Sequence, residues 1–189
     1  VAVDYPALLT PAAFSEGTGR KIPETDPRLK PLIDGATRGI RRYCGWHIAP
    51  KIEEKFRLDG PGGRLLPLKT MRLANVTSVT ERGQALADDV DFEWSENGEL
   101  RRLRGCWTDR YRAIVVEAEH GFDDAPDVAQ IIQQVVANAI ASPLGATREQ
   151  AGAISVQWAT TAPGVAGGLS LLERDMAILN SYRLPGISW

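Results

Sequence analysis

The chain has 189 residues and a mass of 20.6 kDa, enough for one domain, with or without an inserted sub-domain, around a substantial core. Hydrophobic residues make up 43% and charged residues 24%, which excludes whole-chain disorder, and no apolar run approaches the roughly 18–20 residues of a membrane helix. A net charge of −2 and a pI of about 5.8 argue against a dedicated nucleic-acid binder.

The first 25 residues read as an N-terminal arm: an apolar helix over residues 6–14, then the flexible phrase SEGTG at 15–19. The opening lacks the basic-then-apolar pattern of a leader segment. Thr25, Asp26 and Pro27 supply a capping side chain followed by a proline, a helix start. Leu29, Leu32, Ile33, Ala36, Ile40 and Tyr43 then recur at steps of three and four, so one face is apolar, and Gly45 supplies a C-terminal cap.

From 50 to 121 the texture changes to short strands. Strands are predicted at residues 52–58, 64–68, 75–81 and 114–116, with a glycine-rich hairpin tip at 59–63. Residues 92–103 read as a hairpin centred on a two-residue type I′ turn at Asn97 and Gly98. That register sets Phe92 against Leu103, Trp94 against Arg101, Glu93 against Arg102 and Glu96 against Glu99.

After residue 122 the helical period returns. Asp124, Ala125, Pro126 and Asp127 mark a helix start, and Val128, Ile131, Ile132, Val135, Val136, Ala139 and Ile140 form a stripe broad enough for a central buried helix. Residues 144–169 form a connector with a strand at 154–158. Ser170 and Glu173 match a capping box for a short last helix lined by Leu172, Met176 and Leu179. Helices therefore bracket a β-rich middle. The expected class is α+β: a small helical bundle (26–49 and 123–181) with an inserted antiparallel β-sheet sub-domain (50–121) and a C-terminal docking tail (182–189).

Catalytic and metal-binding patterns are sparse. Cys44 and Cys106 lie far apart and suit free, buried thiols; His47 and His120 belong to no ligand spacing. Cys44 and His47 are three apart across a Gly-Trp break, which reads as a packed corner before it reads as a nucleophile and base. The glycines at 60–63 lack the lysine of a phosphate loop. No catalytic residue, cofactor site or metal ligand is therefore assigned. The conspicuous feature is charge. Acids gather from 81 to 99 and arginines from 101 to 112, and two readings of this stand. Either the arms neutralise each other within the chain, or Asp88, Asp89, Asp91 and Glu96 of one subunit meet Arg101, Arg104 and Arg110 of the next. The tail is the other anomaly, with Leu184, Ile187 and Trp189 concentrated near one end.

Read in order, residues 41–50 (RRYCGWHIAP), 58–60 (LDG), 65–68 (LLPL), 76–80 (VTSVT), 119–122 (EHGF), 125–128 (APDV), 141–143, 148–150 (REQ) and 182–185 (YRLP) resemble the head-to-tail adaptor (head–tail connector) proteins of long-tailed double-stranded DNA phages, particularly those of actinobacterial hosts. The resemblance covers about residues 26 to 185; the Thr- and Gly-rich stretch 159–168 and the ending at 187–189 depart from it. It implies a helical bundle with a β insertion, assembled as a dodecameric ring beneath the phage portal protein. It also implies a stopper or tail-completion protein below and double-stranded DNA passing through the centre. The implied location is the virion neck, reached from the host cytoplasm during assembly, with no enzymatic activity, no cofactor and no membrane partner. Under this reading Arg183, Leu184, Pro185, Ile187 and Trp189 hook the portal. Two rivals stand beside it: a small hydrolase or transferase, which needs a clustered pocket, and a DNA-binding regulator, for which Arg38, Arg41 and Arg42 are the candidate basic face.

Overall fold

Two capping signals set where the first helices begin. The computed structural model describes residues 5–141, 148–151, 154–157 and 171–185. Helix α1 (Pro11–Gly17) starts where Thr10 Oγ1 accepts from the Ala13 N–H at 3.2 Å and Pro11 takes the first turn, where its missing N–H costs nothing. It thus runs later than the expected 6–14, because a cap followed by proline defines a start more sharply than an apolar run does. Before helix α2 (Leu29–Cys44), Asp26 accepts from the Arg28 guanidinium and, at 2.9 Å, from its backbone N–H; this holds the Asp26 carboxyl down at about 2.

The described residues fall into two units: one runs to Cys44 and resumes from Ala125 to Arg183, and the other comprises Gly45–Asp124 with Leu184 and Pro185. In the first, α2 packs against α1, against α3 (Pro126–Ala141) and against α4 (Glu173–Asn180), and α3 also meets α4. Helix α2 buries Leu29, Ile33, Ala36, Thr37, Ile40 and Cys44, and α3 buries Val128, Ile131, Ile132, Val135, Val136 and Ala139. These follow the expected stripes, except that Leu32, Tyr43 and Ile140 are only partly buried and Thr37 and Cys44 join the buried face; each large aliphatic side chain contributes about 1.5–3 kcal/mol of burial. Polar ties fix the ends: Tyr43 donates to Asn180 Oδ1 at 2.7 Å, and Tyr182 donates to Asp127 at 2.8 Å. The expected capping box at Ser170 and Glu173 is corrected. Ser170 lies outside the described residues, α4 begins at Glu173, and the Leu172 N–H donates to the buried Asp175 carboxylate at 3.0 Å. A leucine carries no side-chain acceptor, so the reciprocal bond comes from an acid two positions later than expected.

The second unit is all β. Strands β1 (Ile52–Leu58), β2 (Leu65–Pro67), β3 (Leu73–Glu81), β4 (Gln84–Leu86), β5 (Phe92–Ser95), β6 (Glu99–Arg102) and β7 (Ile114–His120) form two antiparallel sheets, ordered β1-β7-β3-β4 and β2-β6-β5. Both sheets send side chains into one core that includes Phe56, Leu66, Val79, Phe92, Leu100, Trp107, Ile114 and Val116. Central β7 alternates strictly, with Ile114, Val116, Ala118 and His120 buried, as a strand with one wet face requires. On that wet face Glu117 accepts from Lys55 Nζ at 2.7 Å and from Ser78 Oγ at 2.9 Å, and these bonds hold the Glu117 carboxyl below its usual range. Strands β8 (Arg148–Ala151) and β9 (Ile154–Gln157) pair antiparallel, from Arg148 opposite Gln157 to Ala151 opposite Ile154. The class is mixed α+β with antiparallel sheets, as expected.

The register of the β5–β6 hairpin differs from expectation by one residue. Phe92 pairs with Arg102, Glu93 with Arg101, Trp94 with Leu100 and Ser95 with Glu99. Of the two turn residues only Gly98 has a positive φ, +84°, whereas a type I′ turn needs positive φ at both. The loop therefore has three residues: the Gly98 N–H donates to Ser95 O at 3.0 Å, and Gly98 takes the left-handed position of a bulge. Glu93 consequently bonds Arg101, not Arg102, and Glu96 bonds Arg72 in place of facing Glu99. The I′ geometry sits instead at Arg82 and Gly83, φ +53° and +82°, joining β3 to β4.

Candidate docking surfaces

Residues 87–91 link β4 to β5 as a tight acidic loop. The Ala87 N–H donates to Asp91 Oδ2 and the Asp91 N–H to Ala87 O, each at 2.9 Å, while Asp89 adopts φ +58° and donates to Phe92 O at 2.9 Å. Asp88, Asp89 and the apolar Val90 are exposed, and Asp88 accepts a long bond from Trp94 Nε1 at 3.4 Å. The hairpin backbone thus displays carboxylates rather than burying them.

The basic arm divides in two. Arg102 turns inward, donating to Glu81 Oε2 at 2.7 Å with its guanidinium 5.1 Å from the centre of the Trp107 ring; both charged side chains are less than one-fifth exposed. Glu81 also accepts from the Thr108 N–H at 2.6 Å, and Trp107 Nε1 donates to Arg64 O at 3.0 Å. This cluster locks the β6–β7 connection onto the sheet end. No sequence pattern pointed to it; only the neighbouring turn at Arg82 and Gly83, had it been recognised, would have placed Glu81 at a strand end. Arg104 and Arg110 are exposed and have no acid partner among the described residues. Of the seven residues considered for pairing between subunits, Arg101 and Glu96 are engaged within the chain. Asp91 stands 4.0 Å from Arg102, and Asp88, Asp89, Arg104 and Arg110 make no intrachain ion pair among the described residues.

The tail begins on its own chain. The Arg183 guanidinium lies 5.2 Å from the centre of the Tyr43 ring. Leu184 and Pro185 border a groove of about 670 Å³ whose walls include Pro67, Leu68, Met71 and Gly98. Ile187 and Trp189 lie outside the described residues. The groove is mostly apolar, with Lys69 and Glu99 on its rim.

Cys44 is buried and its Sγ donates to Leu179 O at 3.7 Å; burial pushes its thiol up to about 12. Cys106 is free and exposed, which corrects the expectation of a buried thiol: it lies in a surface loop beside a polar hollow lined by Glu81, Arg82, Gln84 and Thr108. His47 Nε2 donates to Pro50 O at 2.8 Å, so that atom serves the loop. Among the described residues no group of three or more His, Cys, Asp or Glu side chains is placed to hold a metal, and no helix is long and apolar enough to cross a membrane. Maleimide labelling of the native protein should modify Cys106 rapidly and leave Cys44 untouched until denaturant is added. Two equally fast thiols would contradict the burial of Cys44.

Comparison with solved structures places this architecture. Over 100% of its length the chain superposes on 98% of a chain from the neck of the native gene transfer agent (GTA) particle computed with C12 symmetry, with a TM-score of 0.58 and 13% identity. The fold is that of a GTA neck chain. A chain from the neck of the empty GTA particle, computed with C6 symmetry, matches at TM-score 0.56 and 12% identity, covering 99% of this chain and 95% of that one. A chain from the virion of the native GTA particle matches at 0.57 and 13%, with the same coverage. No protein-family model matches the sequence, and no curated protein matches it. At 12–13% identity the likeness is one of fold.

Proposed function

We propose that this chain is a structural virion protein, a head-to-tail adaptor that forms a ring between the portal and the stopper or tail-completion protein of a phage neck. The observation that carries this reading is likeness along essentially the whole chain to a neck chain of a particle solved with twelve-fold symmetry. The arrangement of charge supports it: the exposed carboxylates of Asp88 and Asp89 lie on one loop, and the exposed Arg104 and Arg110 lie on another. In a closed ring the first set of one subunit meets the second set of the next, as a head-to-tail contact requires. A dodecamer is the proposed state, with double-stranded DNA passing through it without sequence reading. The mildly acidic chain suits a conduit, since a strongly basic lining would hold phosphate. The protein acts mechanically, without catalysis or cofactor, in the virion neck after assembly in the host cytoplasm.

Arg183, Leu184, Pro185, Ile187 and Trp189 are the proposed portal hook. Truncation after Tyr182 leaves the helix ties at Tyr43 and Tyr182 in place. The shortened chain should fold normally and fail to bind portal in a co-sedimentation assay; unchanged binding removes the hook. Imaging of the full chain mixed with its portal should reveal a ring on the portal, and a lone subunit that never binds portal overturns the reading. Charge-closed rings should also loosen in salt. Between about 0.1 and 1 M salt the Debye length falls from about 10 to 3 Å, so self-association measured by ultracentrifugation should weaken, and indifference to salt counts against Asp–Arg closure.

A further inference from the structure

We propose that the apolar groove of the β unit is the seat of the chain's own tail: Ile187 and Trp189 dock in it, so that residues 186–189 are stowed on the subunit that carries them. Most of the groove is built without the tail. Pro67, Leu68 and Met71 come from β2 and the residues after it, and Gly98 comes from the β5–β6 loop. The Leu68 N–H donates to Gly98 O at 2.8 Å and the Leu73 N–H to Glu96 O at 2.7 Å, while Gly98 lies so close to the Thr70 carbonyl that a Cβ there would overlap it. Backbone contacts thus fix these walls, and a volume of about 670 Å³ falls within the roughly 300–1,000 Å³ of preformed binding sites. Pro67 and Pro185 are exposed and Met71 and Leu184 half-buried, so the walls present apolar surface.

Chain continuity and turn chemistry select the occupant. Leu184 and Pro185 already border the groove, and the next residue is Gly186. Pro-Gly is the preferred central pair of a type II turn, because proline's fixed φ suits its second position and glycine's freedom its third. Such a turn over residues 184–187 brings the Ile187 Cα within about 7 Å of the Leu184 Cα, so the chain doubles back over the groove in place of leading away from it. From Ile187 the pattern is apolar, polar, apolar. Alternate side chains of an extended segment share a face, which sets Ile187 and Trp189 together and Ser188 opposite. The indole brings an apolar body and one N–H, and Glu99 on the rim supplies an acceptor. A second copy's tail must come from solution, whereas this one is tethered to the wall, at the millimolar effective concentration of a short linker. That advantage favours docking within one chain. The seat does not depend on the neck reading, but its use as a latch rests on it: groove and portal then compete for Ile187 and Trp189, and seated tails lower the apparent affinity for portal.

The test uses the full chain with no portal present. Met71→Cys and Ile187→Cys are combined with Cys106→Ser, which removes the exposed thiol, and the oxidised protein is run on non-reducing gels. The expected product is a disulfide within one chain, formed equally well in dilute and concentrated protein. Disulfide-linked dimers would seat the tail on a second copy and overturn the proposal. Where no cross-link forms, or the variant fails to fold, tryptophan quenching decides. The part of the native emission that Trp189→Phe removes should be quenched by acrylamide several-fold more slowly than free tryptophan, and Met71→Arg, which puts a charge in the groove, should abolish that protection. Quenching as fast as that of free tryptophan overturns the seat, and so does protection that survives Met71→Arg. Either failure leaves the hook standing, since truncation after Tyr182 tests portal binding separately.

Discussion

Replacing Trp107 by alanine is expected to destabilise the β unit by about 3–5 kcal/mol, the range for emptying a large buried aromatic site. Trp107 is 2% exposed, fills the space between the two sheets, and presents its ring face to the Arg102 guanidinium. The alanine variant leaves a cavity and removes the surface that covers the Arg102–Glu81 pair, so water reaches a pair that is now mostly shielded. Trp107→Phe separates the contributions. It keeps most of the burial but leaves Arg64 O without the 3.0 Å indole bond, and should cost about 1–2 kcal/mol. Urea denaturation of the three proteins measures this. A loss below about 1 kcal/mol for Trp107→Ala would show that the core does not depend on this side chain.

The second large effect is a contrast between two glycines of nearly equal backbone angle. Gly83 and Gly98 have φ of +82° and +84°, so alanine at either carries the left-handed penalty of about 1–2 kcal/mol. Around Gly83 a Cβ meets nothing within 4 Å, whereas at Gly98 it would overlap the Thr70 carbonyl oxygen and press on the Thr70 methyl group. Backbone cannot move aside as a surface side chain can. Gly83→Ala should therefore stay near 1–2 kcal/mol, while Gly98→Ala should exceed about 3 kcal/mol in the same denaturation assay. Equal losses would show that the hairpin moves away from Thr70 at little cost.

The helical stripes were legible because they are periodic. Leu29, Ile33, Ala36 and Ile40, and Val128 through Ala139, repeat at helical spacing whatever packs on them, and the structure buries them. Strand β7 was legible only at its start, residues 114–116, and its alternation as far as His120 was not. The hairpin at 92–102 was legible as a hairpin but not in its register, because Asn-Gly serves both a two-residue I′ turn and the end of a three-residue bulged loop. What separates them is the fit of Gly98 against Thr70, a residue nearly thirty positions earlier. Arg82 and Gly83 form a true I′ turn with an arginine at a positive φ, which local preference disfavours and which the pairing of Glu81 with Gln84 imposes.

The candidate surfaces divide in the same way. That acids cluster before residue 100 and arginines after it is a property of the chain alone, and so is the lack of any ligand spacing around the two histidines and two cysteines. Which charges remain available was decided by tertiary structure. One residue of hairpin register gave Glu93 to Arg101, sent Arg102 to Glu81 and left Arg104 and Arg110 exposed. Composition and periodicity are sums over local residues, so a sequence carries them intact. Register, burial of a single guanidinium and the meeting of His47 with His120 depend on contacts between distant residues, and only the folded chain brings those together.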